Sequence, residues 1–283
     1  MELPKANKAH AYLFGSRHFS KDSRCSIIVA HPGDEVVAAG YLICKLDQVT
    51  VVHVSDGAPR QMNFWEGVGF KRRRDYADAR RNECVRALAI ARVPRERIID
   101  FDYAALELPN QLTTLAKRIM DFLPRSSSEI VLTHAYDGGH PDHDATAFAT
   151  HAAVQLLERN GLKPPVIFEL GLYPASDGRT RVLDFLPGPG REITTVVLDR
   201  KASELKAQMF DCFSTPGGPL KACPATVERF RSALKYDFRQ APNSGAPYYE
   251  NFDWAFTADD WQMLARRAVS ELFPRGSQPF SRD

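Results

Sequence analysis

Six short runs rich in Val and Ile, separated by longer stretches of helical spacing, constrain this chain more than any other feature. The runs are CSIIVA (25–30), VTVVHV (49–54), RIIDF (97–101), EIVLTH (129–134), PVIFEL (165–170) and ITTVVL (193–198). Most are continuously apolar rather than alternating, which suits strands covered on both faces. Helical spacing covers about 35–46, 73–92, 110–124, 143–160 and 199–213, and a last amphipathic stretch spans 258–273. Strands alternating with helices fold as βαβ units, and right-handed crossovers carry helices to both faces of a parallel sheet. Ligands bind such sheets beyond the carboxyl ends of the strands. The loops after 30, 54, 101 and 134 are therefore expected to converge on one crevice.

The remaining composition narrows the class. With 44% hydrophobic and 25% charged residues in 283, the chain can bury a large core. One domain over 1–283 is expected, less regular from about 216. LPGPG (186–190), STPGGP (214–219) and RQAPNSGAPYYENFDW (239–254) read as loops, with Gly and Pro setting turns. A formal net charge of +2 and the lack of a DNA- or RNA-reading motif argue against nucleic acid as partner. The five cysteines are odd in number, widely spaced and without a CxxC pair, which fits reduced thiols. The N-terminus has no apolar h-region and no run is long enough to span a bilayer, so a cytoplasmic protein without a membrane partner is expected. Nothing in the sequence fixes the oligomeric state, and a homo-oligomer is compatible with it.

Two motifs carry chemistry. After the first strand come His31, Pro32 and Gly33, then Asp34 and Glu35 opening a helix. Acids at a helix N-terminus are favourable in their own right. That does not account for a histidine at the strand end. A short turn brings an imidazole and a carboxylate to one side, a donor pair suited to zinc or a similar divalent ion. After the fourth strand, AYDGGHPDHDAT (135–146) repeats the pattern with His140, Asp142 and His143. The pair of histidines can add a ligand and an outer-shell group, with Asp142 fixing the tautomer of His140. Each motif alone reads equally well as a capped loop with solvated histidines. Two of them at the ends of parallel strands are harder to dismiss.

AHPGDE (30–35) resembles the AHPDDE signature of the PIG-L or LmbE-like zinc-dependent de-N-acetylases, and HPDH (140–143) resembles that family's second signature. VVHVSDG (51–57), RRNECVRALAIARV (80–93) and RKASELKAQMFDCFST (200–215) are similar, in order, to its second strand, its R-x-x-E helix and a late helix. The resemblance implies a Rossmann-like α/β fold and hydrolysis of an N-acyl group, typically N-acetyl on an amino sugar. By motif position it implies His31, Asp34 and His143 as ligands of Zn2+ or another divalent transition metal. It assigns His140 to the oxyanion or the leaving amine, oriented by Asp142.

The sequence departs from the family where the acid after the proline serves as general base: here that position is Gly33. Glu35, Asp142 or Asp56 can be the replacement. Alternatively, a metal-acidified water with a pKa near ~7 needs less help, or catalysis is lost and a binding protein remains. Restoring the acid by Gly33→Asp is expected to raise the rate if the base is simply missing. Arg80, three residues before Glu83, is a candidate for substrate hydroxyls or an anionic group, and equally an ordinary helix ion pair. Asp56, Asp102 and Tyr136 are further substrate-binding candidates, each also readable as turn or packing residues. APYYENFDW (246–254) can be an aromatic lid, a core contact or a subunit contact. His53 and His134 read as core histidines. An amidase on a non-sugar amine is a further alternative. A nucleotide-binding enzyme is set aside, since two acids beside a phosphate repel it.

Overall fold

The fold is that of a computed structural model, which describes residues 9–10, 13–14, 24–61, 63–172, 175–176, 179–180, 182–186, 192–215, 223–242, 245–252 and 254–274. Most of the expected loops at 186–190 and 214–219 lie outside the described residues.

The helical and strand periods of the sequence appear in order. Strands β1 (Cys25–Val29), β2 (Val49–Pro59), β3 (Ile98–Ala105), β4 (Ile130–His134) and β5 (Val166–Leu170) alternate with helices α1 (Asp34–Ile43), α2 (Arg73–Ile90), α3 (Leu112–Ser126) and α4 (Pro141–Arg159). Then follow β6 (Thr194–Val197), α5 (Arg200–Phe210), β7 (Val227–Ser232) and α6 (Ala258–Leu272). One seven-stranded sheet results, in the order β3-β2-β1-β4-β5-β7-β6. The first five strands pair in parallel. Strand β7 runs antiparallel to both β5 and β6, so the sheet is mixed and mostly parallel rather than wholly parallel. VERFRS (227–232) carries Glu228, Arg229 and Arg231 among its six residues, and the continuous apolar run expected of a strand is missing there.

Alternation along β1 shows how both faces are covered. Cys25, Ile27 and Val29 enter one apolar cluster with Val37, Leu88 and Met209. Ile28 and Ala30 enter the other, with Leu115, Phe148 and Trp261. Each fully buried Ile or Phe contributes roughly 1.5–3 kcal/mol. Helix α4 is alanine-rich where it is buried, at Ala145, Ala147, Ala149, Ala152 and Ala153. Small side chains let its backbone lie close to the sheet.

Strand order also positions the site. β1 and β4 are neighbours in parallel register, Ile28 opposite Thr133, so the loops after them emerge side by side. His31 and His140 are 109 residues apart in sequence, and their ring centroids are 4.8 Å apart.

Candidate functional site

Each loop turns into its helix by a local device. Gly33 stands at the N-cap of α1 with φ 106°, a left-handed conformation that glycine adopts at little cost. The acids behind it reach back: the His31 amide donates to Asp34 Oδ2 at 2.9 Å and the Gly33 amide to Glu35 Oε2 at 3.0 Å. At α4, Pro141 fills the first turn, where its missing N–H costs nothing. His140 is the N-cap, and its Nδ1 accepts from the Asp142 amide at 3.1 Å.

These devices bring His31, Asp34, His140, Asp142 and His143 together. Asp34 Oδ2 lies 3.3 Å from His31 Nδ1 and 3.3 Å from His143 Nε2. Two donors sharing a tetrahedral ion at bonds of ~2.0–2.1 Å stand roughly 3.3 Å apart, so each of these two pairs has the spacing of two ligands on one ion. The opposite nitrogen of His31, Nε2, is 2.9 Å from Asp142 Oδ2. Asp142 is fully buried and also accepts from the amides of Leu106 (2.6 Å) and Leu108 (3.2 Å). A carboxylate fixing the far nitrogen of an imidazole is the usual outer partner of a metal-binding histidine. Asp142 therefore holds His31 through its carboxylate and His140 only through its backbone amide, which corrects the expected orienting bond.

The histidines divide by tautomer and charge. His140 Nδ1 accepts an N–H, so its proton sits on Nε2. Burial, then the neighbouring His31 and His143, keep its pKa well below the usual range, which leaves a neutral hydrogen-bond donor. Burial also opposes a charge on His31, but Asp34 and then Asp142 outweigh it and raise its pKa to about 9. Asp34 is held well below the usual carboxylate range: burial opposes this, and facing His143 and His31 prevail. Donor atoms of His31, His140 and His143 lie within 4.8 Å of one another, as do those of Asp34, His134 and His143. His134 Nε2 already accepts from the Ala30 amide at 2.8 Å, tying the end of β4 to β1. It is the structural histidine expected, although its Nδ1 is buried without a partner.

Other expected site residues fall elsewhere. Glu35 points away from this group, into a second buried cluster with His53 (3.2 Å) and Cys84 (2.8 Å). Burial, then Glu35, pushes the Cys84 thiol up to about 12, so it donates its proton to Glu35 as a neutral group. A base role for Glu35 does not fit this orientation. Asp56 is bound by Arg73 and by the Ala58 amide at 3.0 Å, which makes it a turn residue. Asp102 pairs with Arg81 on the exposed side of β3. Tyr136 is buried, its hydroxyl donating to the Gln240 carbonyl at 2.7 Å and its ring against Phe238 and Trp261. It packs the core and does not close over the site. Arg80 does lie beside the first loop: it donates to the Pro32 carbonyl at 3.0 Å. A Cβ at Gly57 would sit 3.1 Å from its Nε and 3.2 Å from Pro32 Cδ, so that glycine makes room for the contact. Of the aromatic segment, Trp254 reaches the site, 4.9 Å from His140 between ring centroids.

A mostly parallel α/β sheet with imidazole and carboxylate donors gathered beyond its central strands defines the class as an α/β protein with a metal-type donor site. Residues 26–154, a little under half of the chain, match the family model described as PIG-L: GlcNAc-PI de-N-acetylase. Three solved structures share the fold. The A40926 pseudoaglycone deacetylase Dbv21 is 20% identical over 74% of this chain and 96% of its own, with TM-score 0.56. The N,N'-diacetylchitobiose deacetylase from Pyrococcus horikoshii is 19% identical over 75% and 79%, with TM-score 0.51. GalB, the 4-carboxy-2-hydroxymuconate hydratase from Pseudomonas putida KT2440, is 18% identical over 70% and 82%, with TM-score 0.50. Deacetylases and a hydratase thus carry one scaffold, and the fold alone does not name a reaction. No curated protein sequence matches the chain significantly. Among the described residues no helix is long and apolar enough to cross a membrane.

Proposed function

We propose that this chain is a metal-dependent hydrolase that removes an N-acyl group, N-acetyl first, from an amino sugar or sugar conjugate. The observation that carries the reading is Asp34 Oδ2 at 3.3 Å from both His31 and His143. Those three side chains would hold Zn2+ or a similar ion. When bound, the ion supplies a Lewis acid that polarises the amide carbonyl and acidifies a water. The chain's own residues supply the rest. Asp142 accepts from His31 Nε2 and so fixes the ring with Nδ1 toward Asp34, the nitrogen that would meet the ion. Neutral His140, with its proton on Nε2, hydrogen-bonds the oxygen that gains charge in the transition state. Because that ring is kept neutral, the oxyanion role suits it better than proton transfer to the amine. Arg80 at the first loop is left to bind a substrate hydroxyl or anion.

Gly33 favours a second reading, a slow enzyme or a ligand-binding relative of the deacetylases, since Glu35 is turned away and Asp56 is occupied. General-base assistance is worth roughly 10²–10⁴-fold, so its loss slows hydrolysis without ending it. Metal analysis combined with acetate release from N-acetylglucosamine and its conjugates decides. The hydrolase reading expects about one divalent ion per chain, loss of it in His143→Ala, and acetate release that stops with chelator and returns with Zn2+. Stoichiometric metal and sugar binding without acetate release would favour the binder. A protein that takes up no divalent ion would end both readings.

A further inference from the structure

We propose that Tyr248, Phe252 and Trp254 form a platform that seats the saccharide ring of the substrate beside His140; the proposal rests on the deacetylase reading and names the substrate wall of that same site. The rings form a chain leading out of the donor cluster. His140 lies 4.8 Å from His31 and 4.9 Å from His143, and Trp254 lies 4.9 Å from His140, all between centroids. Phe252 stacks on Trp254 at 4.5 Å with planes 13° apart, and Tyr248 meets Phe252 edge-on at 5.1 Å.

The platform is fixed to the loop that carries His140. The Tyr248 amide donates to the Gly138 carbonyl at 2.8 Å, and a Cβ on Gly138 would stand 3.1 Å from Pro242 and 3.5 Å from Pro247. Its own turn is closed by Trp254 N–H donating to the Phe252 carbonyl at 2.8 Å. Tyr249, in the preceding turn Tyr248–Asn251, is buried. The Ala258 amide donates to Glu250 at 2.7 Å, which ties the segment to the start of α6. Aromatic side chains held this way give up little entropy on binding, the cost that weakens flexible contacts.

Exposure indicates an occupant. Among the described residues, the large hydrophobic side chains left exposed are Leu162, Val197, Phe252 and Met263, and Phe252 alone is aromatic, 41% exposed. The chemistry of the two flanks selects which occupant. Beside the first loop stands Arg80 of α2, whereas the second loop is tied to the aromatic platform. A pyranose has hydroxyls around its edge and C–H groups on its faces, so it suits one polar wall and one aromatic wall.

Kinetics on two amides with the same scissile bond test the proposal: cyclic N-acetylglucosamine and acyclic N-acetylethanolamine. Trp254→Ala is expected to raise KM for the sugar about tenfold, and Phe252→Ala several-fold, with kcat changed less than about twofold. That range follows from ring contacts worth ~0.5–1.5 kcal/mol. The preference for the sugar over the acyclic amide, as the ratio of kcat/KM, should fall at least fivefold. An unchanged ratio in both variants overturns the platform. Phe252 is exposed, so its variant folds even if Trp254→Ala does not. Should the native protein cleave neither amide, acetate release from sugar conjugates still judges the hydrolase reading, and calorimetric titration with N-acetylglucosamine still judges the platform. Binding that weakens fivefold or more in both variants supports it. Equal binding, or none by the native protein, refutes it.

Discussion

At residue 33 the backbone and the chemistry pull in different directions. The resemblance implies a base there, yet φ is 106°. A residue with a Cβ in that region costs roughly 1–3 kcal/mol. Gly33→Asp thus adds an acid and strain together, and the simple expectation of a faster enzyme has to be separated from a weaker fold. Gly33→Ala carries comparable strain without the acid. Both variants are expected to unfold at lower denaturant, by about 1–3 kcal/mol, and Gly33→Asp should hydrolyse faster than Gly33→Ala at equal metal content. Equal rates would mean that an acid there has no proton to take. The motif residues themselves were readable because both loops follow strands directly, so spacing alone predicts that they meet. The position of Glu35 was not readable. His53 and Cys84, the residues that turn it inward, come from β2 and α2, 18 and 49 positions away.

Elements had clear signals where they were long and periodic, and weaker ones where another element supplied the missing bond. Helix α1 is broken at Ala39, with φ −144°. The freed amides of Tyr41 and Leu42 donate to Glu228 of β7 at 2.7 and 3.1 Å, and Lys206 of α5 neutralises that acid at 2.9 Å. No local pattern announces such a three-element contact, and β7 itself has only Val227 and Phe230 as apolar residues. Glu83 does the same for α2. Its Oε1 accepts from the amides and hydroxyls of Ser214 and Thr215 at 2.7–2.9 Å, docking the chain after α5 onto α2. Burial alone would raise its pKa, but the bonds from Thr215 and Ser214 win, and it is lowered. A depressed folded-state pKa gives stability that is present above the unfolded value, roughly 4.3, and is lost as pH falls through the folded one. The stability gap between the native protein and Glu83→Gln should therefore be widest near neutrality and should narrow from about pH 4.5 downward. Urea unfolding at a series of pH values measures it, and a gap independent of pH would mean that Glu83 is not ionised in these bonds.

For the whole molecule, the fold does not depend on the site. Two apolar clusters lie on opposite faces of the sheet. The donors His31, Asp34, His140 and His143 sit beyond the strand ends, on loops and first helical turns. That separation is why the sheet could be read from apolar runs and the site from two short motifs, independently. It also explains why Tyr136 misled: its neighbours Phe238 and Gln240 come from the irregular chain after β7, and Trp261 from α6, all more than a hundred positions away. The same separation predicts how metal removal acts. An ion that binds only the folded chain adds about 2.7 kcal/mol at a hundred times its dissociation constant. For a chain of this size, 1 kcal/mol moves Tm by roughly 2–4 °C. Chelation should accordingly lower Tm by about 5–10 °C while far-ultraviolet circular dichroism before melting stays the same, because the sheet and helices keep their own cores. Asp142→Asn removes the carboxylate that holds His31 Nε2. Outer partners of this kind are worth about 10–100-fold in metal affinity, so at a fixed metal concentration its Tm should fall between the loaded and the chelated native protein. Excess Zn2+ should then restore most of the difference. A Tm indifferent to chelator and to added Zn2+ would mean that no ion distinguishes the folded chain from the unfolded one, and His31, Asp34 and His143 would then be an ion-paired cluster of the protein alone.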